Sequence, residues 1–154
     1  MVITEKMQKF LRGKEFVIVG TSDLNSQPNA APKFVVKVDD GFIYLADHVI
    51  GKTFQNLKVN PKISISTVDM KTLEGYQVNG AVSMITEGPQ YKELLKLMVE
   101  REVHHSAQRV IGDIRGTQKY DNYEVTFPEK VVIFKVKCEG ITKISATGKL
   151  SREE

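Results

Sequence analysis

The fold of this chain is indicated first by residues 29–47, whose sequence is NAAPKFVVKVDDGFIYLAD. Side chains in an extended strand alternate between its two faces, so one face takes Phe34, Val36 and Val38 and the other takes Lys33, Val35 and Lys37. Asp40-Gly41 is a strong hairpin signal, because glycine tolerates the positive φ that tight primed turns require. We therefore expect antiparallel neighbouring strands at 29–39 and 42–47.

Similar strand patterns, interrupted by helical ones, continue on both sides of this hairpin. Further strands are predicted at 15–22, 62–69, 76–86, 130–138 and 141–144, and helices at 4–12, 51–59 and 89–104. Residues 106–127 show no clear period, and the polar tail from residue 147 is expected to fray. Consecutive strands with short links favour an antiparallel barrel over a doubly wound parallel sheet. We predict a mainly β protein with flanking helices, one domain over residues 1–154 containing six to seven antiparallel strands.

Composition excludes several classes of protein. The 22 basic and 19 acidic side chains give a net charge of +3 and are mixed along most of the chain. No basic stripe indicates a nucleic-acid partner. The single cysteine, Cys138, excludes an internal disulfide and a cysteine-based zinc site, and its β-branched neighbours indicate an inert core residue. No apolar run approaches the roughly 18 residues that span a bilayer, so we expect a cytoplasmic protein without membrane contact.

Residues 46–53, ADHVIGKT, run from the end of a predicted strand into a predicted helix. The first N–H groups of a helix have no internal partner and carry partial positive charge, which suits a phosphate. Lys52 adds a full charge and Thr53 a hydroxyl donor, while Lys33 on the paired strand can approach the same anion. Spacing alone leaves an alternative open, in which Gly51 and Thr53 only begin the helix and Lys52 is solvated.

Other chemical signatures are weak or missing. A Walker loop also ends in Gly-Lys-Thr, but it requires a glycine where this chain has Ala46. His104 and His105 are adjacent and do not share a helical face, so we expect no metal site. No Ser-His-Asp group, paired carboxylates or dinucleotide-binding glycine motif is visible, and no catalytic residue can be named.

Several short motifs together resemble one protein family. In chain order they are PNAAPK at 28–33, ADH at 46–48, GKTFQNL at 51–57, NPK at 60–62 and YQVNG at 76–80. This order is similar to that of the pyridoxamine 5′-phosphate oxidase-like flavin-binding split barrels, and especially of their small stand-alone members. The Gly-Lys-Thr segment with the following Asn-Leu and Asn-Pro is the most specific part. The resemblance covers about residues 10–87 and the closing strands.

The resemblance implies an antiparallel split β-barrel of the FMN-binding type that forms a homodimer, with FMN in two equivalent clefts between subunits. Lys52 and Thr53 would hold the FMN phosphate, with Lys33 assisting. Gln77, whose amide both donates and accepts, would reach the ring edge. Backbone groups of the remaining predicted residues would line the ring and the ribityl chain: Ala31, Pro32, Ala46, Asp47 and His48.

One departure from the family concerns the phosphate. The vitamin B6 oxidase uses arginines around phosphate and substrate, where this chain offers lysines and a threonine. A lysine is a point charge without the bidentate fork of arginine. This difference argues against pyridoxamine phosphate as the substrate but not against FMN.

Three functions follow from the resemblance. The first is an FMN-dependent oxidoreductase in which the flavin transfers a hydride or electrons and the protein binds, orients and tunes the ring. The small-molecule electron donor or substrate is not indicated by the sequence. The second is a protein that binds or carries flavin, haem or a deazaflavin without turnover. The third is a dimeric scaffold that has lost ligand binding, and the presence of Lys33, Lys52 and Thr53 argues against it.

Overall fold

The computed structural model describes residues 1–48 and 50–153. The elements in chain order are α1 (Glu5–Arg12), β1 (Phe16–Ser22), β2 (Pro28–Asp39), β3 (Phe42–Asp47), α2 (Lys52–Val59), β4 (Lys62–Val68), β5 (Gly75–Ile85), α3 (Pro89–Ile114), β6 (Val132–Ile144) and β7 (Leu150–Glu153). The predicted fold class, mainly β with flanking helices, is confirmed.

Six strands close into an antiparallel barrel. They lie in the order β3-β2-β1-β4-β5-β6, and β6 also pairs with β3 to complete the ring, while β7 adds to β6 outside it. The predicted hairpin joins β2 and β3, and Gly41 adopts a φ of 86° there. Alternate side chains of every barrel strand fill the interior, as Val19, Val35, Leu45, Ile65, Val78 and Phe134 do.

A β-bulge in β2 changes which of its side chains face inward. The register with β3 shifts between Val35 and Lys37, and the extra residue reverses the alternation beyond it. Val35 and Val38 therefore lie in the barrel interior, whereas Phe34 and Val36 pack outside against α3. The expected common face of Phe34, Val36 and Val38 is wrong, because strict alternation assumes an uninterrupted ladder.

A second bulge explains why β6 is one strand and not the two that the sequence predicted. Gly80 of β5 faces Cys138 and Asn79 faces Gly140, so Glu139 is the extra residue. The Glu139-Gly140 pair was expected to separate two strands. It instead bends a single strand of 13 residues, since a bulge accommodates an unpaired residue without ending the ladder.

The two short helices cover opposite ends of the barrel. Ile3, Met7 and Leu11, in and just before α1, enter the interior cluster, and Arg12 donates to the Val38 carbonyl at 2.8 Å, near the β2–β3 hairpin. At the other end Asn56 of α2 donates to Thr21 Oγ1 at 3.2 Å. Thr21 lies near the end of β1 and pairs with Asn29 of β2. The helix α2 is therefore fixed beside the start of β2.

The long helix α3 packs on the outside of the barrel and extends beyond its predicted end at residue 104. Leu94 and Met98 of its first half are buried, whereas Ile114 at its last turn is 80% exposed. The second half is held by Arg109, which pairs with Glu15 and Glu102. Because this anchor is polar, it leaves no apolar period in the sequence.

The C-terminal tail also differs from expectation. Leu150 of β7 pairs with Ile144 of β6, and the expected fraying of this segment is wrong because a backbone ladder needs no apolar pattern. Within residues 1–48 and 50–153, no helix combines the length and the apolar character needed to cross a membrane.

Cys138 of β6 is a buried core residue, as predicted. Its side chain is 1% exposed, and burial raises the pKa of the thiol to about 11. Since the thiolate is the reactive form, we expect the native protein at pH 8 to resist iodoacetamide, with full alkylation only in denaturant. Mass spectrometry of the labelled chain measures this, and rapid labelling of the native protein would contradict the placement of the thiol.

Candidate cofactor-binding site

A cavity of about 530 Å³ opens between the first half of β2 and the start of α2. This volume lies in the roughly 300–1,000 Å³ range of small-molecule sites. The hairpin register places Phe34 of β2 opposite Ala46 of β3, so the start of β2 lies beside the loop that leads from β3 into α2. Predicted site residues that line the cavity are Ala31, Pro32, Lys33, His48, Lys52 and Thr53.

The first turn of α2 supplies hydrogen-bond donors to this cavity. Gly51 before it makes no side-chain cap, and the first N–H groups of a helix have no partner within the helix. Thr53 is 2% exposed, and its Oγ1 accepts from Asn29 Nδ2 at 3.2 Å. The threonine hydroxyl can still donate its own hydrogen.

Lys52 adds a partly exposed positive charge beside these donors. Its Nζ lies 3.8 Å from Asp23 Oδ2, and the lysine side chain is 48% exposed. An exposed ion pair of this kind contributes at most about 1 kcal/mol. Lys52 can therefore exchange the Asp23 carboxylate for an anion in the cavity at little cost.

Lys33 lies in the cavity wall but differs from its predicted state. We expected a side chain free to assist a phosphate, whereas Lys33 is only 5% exposed. Its Nζ donates to Asp47 Oδ1 at 2.6 Å, and Asp47 is fully buried. The two side chains share the inward face of β2 and β3, since Asp47 follows the interior residue Leu45 by two positions. The Lys33 charge is thus already compensated.

His48 forms another part of the wall, next to the buried Lys33–Asp47 pair. Burial lowers the pKa of His48 below its ordinary value, and the Lys33 ammonium lowers it further, although Asp47 opposes this. The ring packs edge-on against Phe127, with 5.5 Å between centroids. Its buried Nδ1 has no hydrogen-bond partner within the described part of the chain. A bound ligand could supply one.

Three predicted residues lie outside the cavity lining. Ala46 packs its methyl group into the outer cluster beneath α3, and Asp47 supports Lys33 from within the barrel. Gln77 lies on β5, where its Nε2 donates to Ser64 Oγ at 3.4 Å. The contact of Gln77 with the edge of a flavin ring stays a prediction.

Sequence reasoning missed four residues of the lining, namely Phe16, Asn29, Gly51 and Val125. Asn29 and Gly51 stand within or beside the quoted motifs, so the hairpin register could have placed them. Val125 could not have been found, because it lies in the stretch without periodicity and its position depends on contacts with residues distant in the sequence, such as Glu102.

A larger depression of about 650 Å³ lies over the outside of β1, β4 and β5. Its lining is mostly small or uncharged and includes Gly20, Ser64 and Gly80, with Lys62 and Glu139 as its charged members. Those two form an exposed ion pair at 3.1 Å. The smaller cavity therefore has the chemistry suited to an anionic cofactor.

FMN joins a phosphate, a polyol and a flat heteroaromatic ring, and the cavity residues fit each of these groups. Lys52, Thr53 and the first N–H groups of α2 match a phosphate. Pro32 and Val125 provide apolar surface suitable for a ring. The unpartnered Nδ1 of His48 can bond to a polar edge or a hydroxyl.

A closed antiparallel barrel with this cavity at the start of α2 defines the class of split-barrel proteins that the motifs indicated. A family model described as Pyridoxamine 5'-phosphate oxidase matches residues 3–133. The chain therefore belongs to the pyridoxamine 5′-phosphate oxidase family.

One relative is similar in sequence over about two thirds of the chain. The chain is 34% identical over 101 residues to Uncharacterized protein MJ0282 of Methanocaldococcus jannaschii, and the match covers 64% of each protein. The chain thus matches just under two thirds of the length of that relative.

Solved structures share the fold at low sequence identity. HupZ of Group A Streptococcus superposes with a TM-score of 0.64 at 24% identity, covering 94% of this chain and 95% of that one. A pyridoxamine 5'-phosphate oxidase-related, FMN binding protein of Nostoc punctiforme superposes with a TM-score of 0.55 at 11% identity, covering 90% and 86%.

Proposed function

We propose that this protein is an FMN-binding flavoprotein that acts as an oxidoreductase. The observation that carries the proposal is the meeting of Lys52, Thr53 and the first turn of α2 with His48 and Pro32 around one cavity. In this arrangement Lys52, Thr53 and the N–H groups of α2 would bind the phosphate, and Pro32 would contact the ring of the same flavin nucleotide. Membership of the family and the FMN-binding relative from Nostoc punctiforme support the choice of FMN.

Each group in the cavity has a role in this proposal. Lys52 and Thr53 bind the phosphate through charge-assisted and hydroxyl hydrogen bonds. Pro32 and Val125 shield the ring from water, and His48 supplies a hydrogen bond through Nδ1. Bound FMN would supply hydride or electron transfer, and no acid–base pair of the protein is then required.

We also propose that the protein acts as a homodimer, in which Gln77 of one copy completes the flavin site of the other. Gln77 lies outside the cavity of its own chain, on the outer face of β5. That face continues onto β1, where Ile18 is an apolar side chain with 49% exposure. A second copy covering this face would bury Ile18 and bring Gln77 to a ring edge.

Replacement of Lys52 with alanine tests the phosphate site. Loss of one charge-assisted contact is expected to weaken FMN binding by about 1.5–3 kcal/mol, or roughly tenfold and more. Titration of flavin fluorescence with protein measures the dissociation constants. Lys58→Ala is the matched control, because it removes the same charge from the exposed end of the same helix. Equal affinities for both variants would place the phosphate elsewhere, and unchanged flavin fluorescence with saturating wild-type protein would exclude FMN binding.

A carrier that binds FMN, haem or a deazaflavin without turnover is the alternative. The lining of the cavity is compatible with both functions, because neither requires a paired acid and base from the protein. Anaerobic mixing of the flavin-loaded protein with NADH or NADPH distinguishes the two functions. Rapid bleaching of the flavin supports a reductase, whereas stable absorbance with both donors favours a carrier.

A further inference from the structure

The segment between α3 and β6, residues 115–131, is here called the strap, and it reaches back to the candidate site. Val125 of the strap lines the 530 Å³ cavity. Phe127 packs edge-on against His48 at 5.5 Å and against Phe34 of β2 at 5.4 Å between ring centroids. The strap has no helix or strand of its own, so other contacts must fix its position.

Two charged side chains of α3 hold the strap by its backbone. Glu102 is 7% exposed, and its Oε1 accepts from the Val125 N–H at 2.7 Å. The same oxygen accepts from Arg109 Nη2 at 2.9 Å. Arg109 Nε donates to the Tyr123 carbonyl at 2.7 Å, and its Nη1 pairs with Glu15. Glu102 and Arg109 are here called the clamp.

Burial of the two clamp side chains costs free energy. A requirement for a fixed strap position would explain why charged residues are used here. Charged groups withdrawn from water lose solvation, and apolar residues of similar volume are often as stabilising as a buried ion pair. Hydrogen bonds from these charged groups are directional and so define the position of the strap. One carboxylate oxygen and one guanidinium nitrogen fix its backbone on both sides of residue 124.

The strap also has empty space next to it, into which it could move if the clamp did not hold it. A second cavity of about 210 Å³ lies between the strap and α3, and it is lined in part by Val99 and Val103, which are 55% and 64% exposed. Val125 lines both cavities. Without the clamp, Val125 has room to withdraw from the larger cavity into the smaller one.

We propose that Glu102 and Arg109 are positioning residues that hold Val125 of the strap as a wall of the flavin site, so that the clamp controls retention of the flavin ring. This inference rests on the proposed function. The strap brings apolar surface to the cavity and no charge. Its contribution to binding is therefore expected to be the same for riboflavin, which lacks the phosphate, as for FMN.

The test combines hydrogen exchange of the full-length protein with flavin binding. In Glu102→Ala, loss of the acceptor for the Val125 N–H is expected to raise exchange of strap amides about tenfold, with barrel amides unchanged. Affinities for both FMN and riboflavin should fall by a similar factor, about fivefold or more. Lys52→Ala should weaken FMN alone. Glu100→Ala, an exposed change on the same helix, should alter none of these quantities.

A second variant guards against misfolding. Glu102→Gln keeps an acceptor for the Val125 N–H and is expected to restore much of the strap protection. Unchanged strap exchange in Glu102→Ala, or increased exchange with unchanged riboflavin and FMN affinities, would overturn the inference. Failure of the proposed function would give a different result. The wild-type protein would then bind neither flavin, while hydrogen exchange of the strap amides would still increase in Glu102→Ala.

Discussion

Replacing Gly80 with alanine is expected to lower the free energy of unfolding by about 3 kcal/mol, the upper range for forcing extra atoms into a packed core. A Cβ at this position would lie 2.3 Å from the Lys137 carbonyl oxygen and 3.0 Å from Val136 Cγ1. The oxygen belongs to the backbone of β6, so it cannot swing aside as a side chain could. The strands must separate at the bulge, and urea denaturation followed by circular dichroism measures the loss.

Gly140 offers a matched control for this prediction. It faces Asn79 in the same bulge, and a Cβ built on it has no neighbour within 4 Å. Gly140→Ala is therefore expected to change the free energy of unfolding by less than about 1 kcal/mol. A Gly80→Ala variant as stable as Gly140→Ala would show that β5 and β6 do not approach each other this closely.

The sequence predicted well those parts of the fold that local patterns specify. The Asp40-Gly41 turn fixes its hairpin through one backbone requirement, and the alternating strand at 62–69 forms β4 with nearly the expected bounds. Bulges in β2 and β6 were missed because they depend on the partner strand. The second half of α3 was missed because Arg109 anchors it through charges distant in the sequence.

In the candidate site too, features set by local sequence could be predicted, whereas features set by distant contacts could not. Lys52 and Thr53 follow one another at a helix start, so their joint placement needs only the local motif. The burial of Lys33 could not be predicted, because it depends on a register that sets Asp47 beside it inside the barrel. The placement of Val125 was even harder to predict, since it depends on Glu102, 23 residues earlier in the chain.

Asp47→Asn is expected to destabilise the protein by about 3–5 kcal/mol, because it leaves the Lys33 ammonium buried beside a neutral amide. The Nζ–Oδ1 distance is 2.6 Å, and both side chains are almost completely buried, so the ammonium has little contact with water. Asp39→Asn, at the end of the neighbouring strand β2, is the control, since the side chains of the Lys37–Asp39 pair are 44% and 35% exposed and lie 3.3 Å apart. That variant should lose less than about 1 kcal/mol in the same urea titration.

The same variant also tests the expected contact between Lys33 and the FMN phosphate. If the phosphate reaches Lys33, it can replace the missing carboxylate, and added FMN should raise the melting temperature of Asp47→Asn more than that of the wild-type protein. Riboflavin, without a phosphate, should show no such excess. Equal shifts with FMN in both proteins would mean that Lys33 serves Asp47 alone. The phosphate would then depend on Lys52, Thr53 and the first turn of α2.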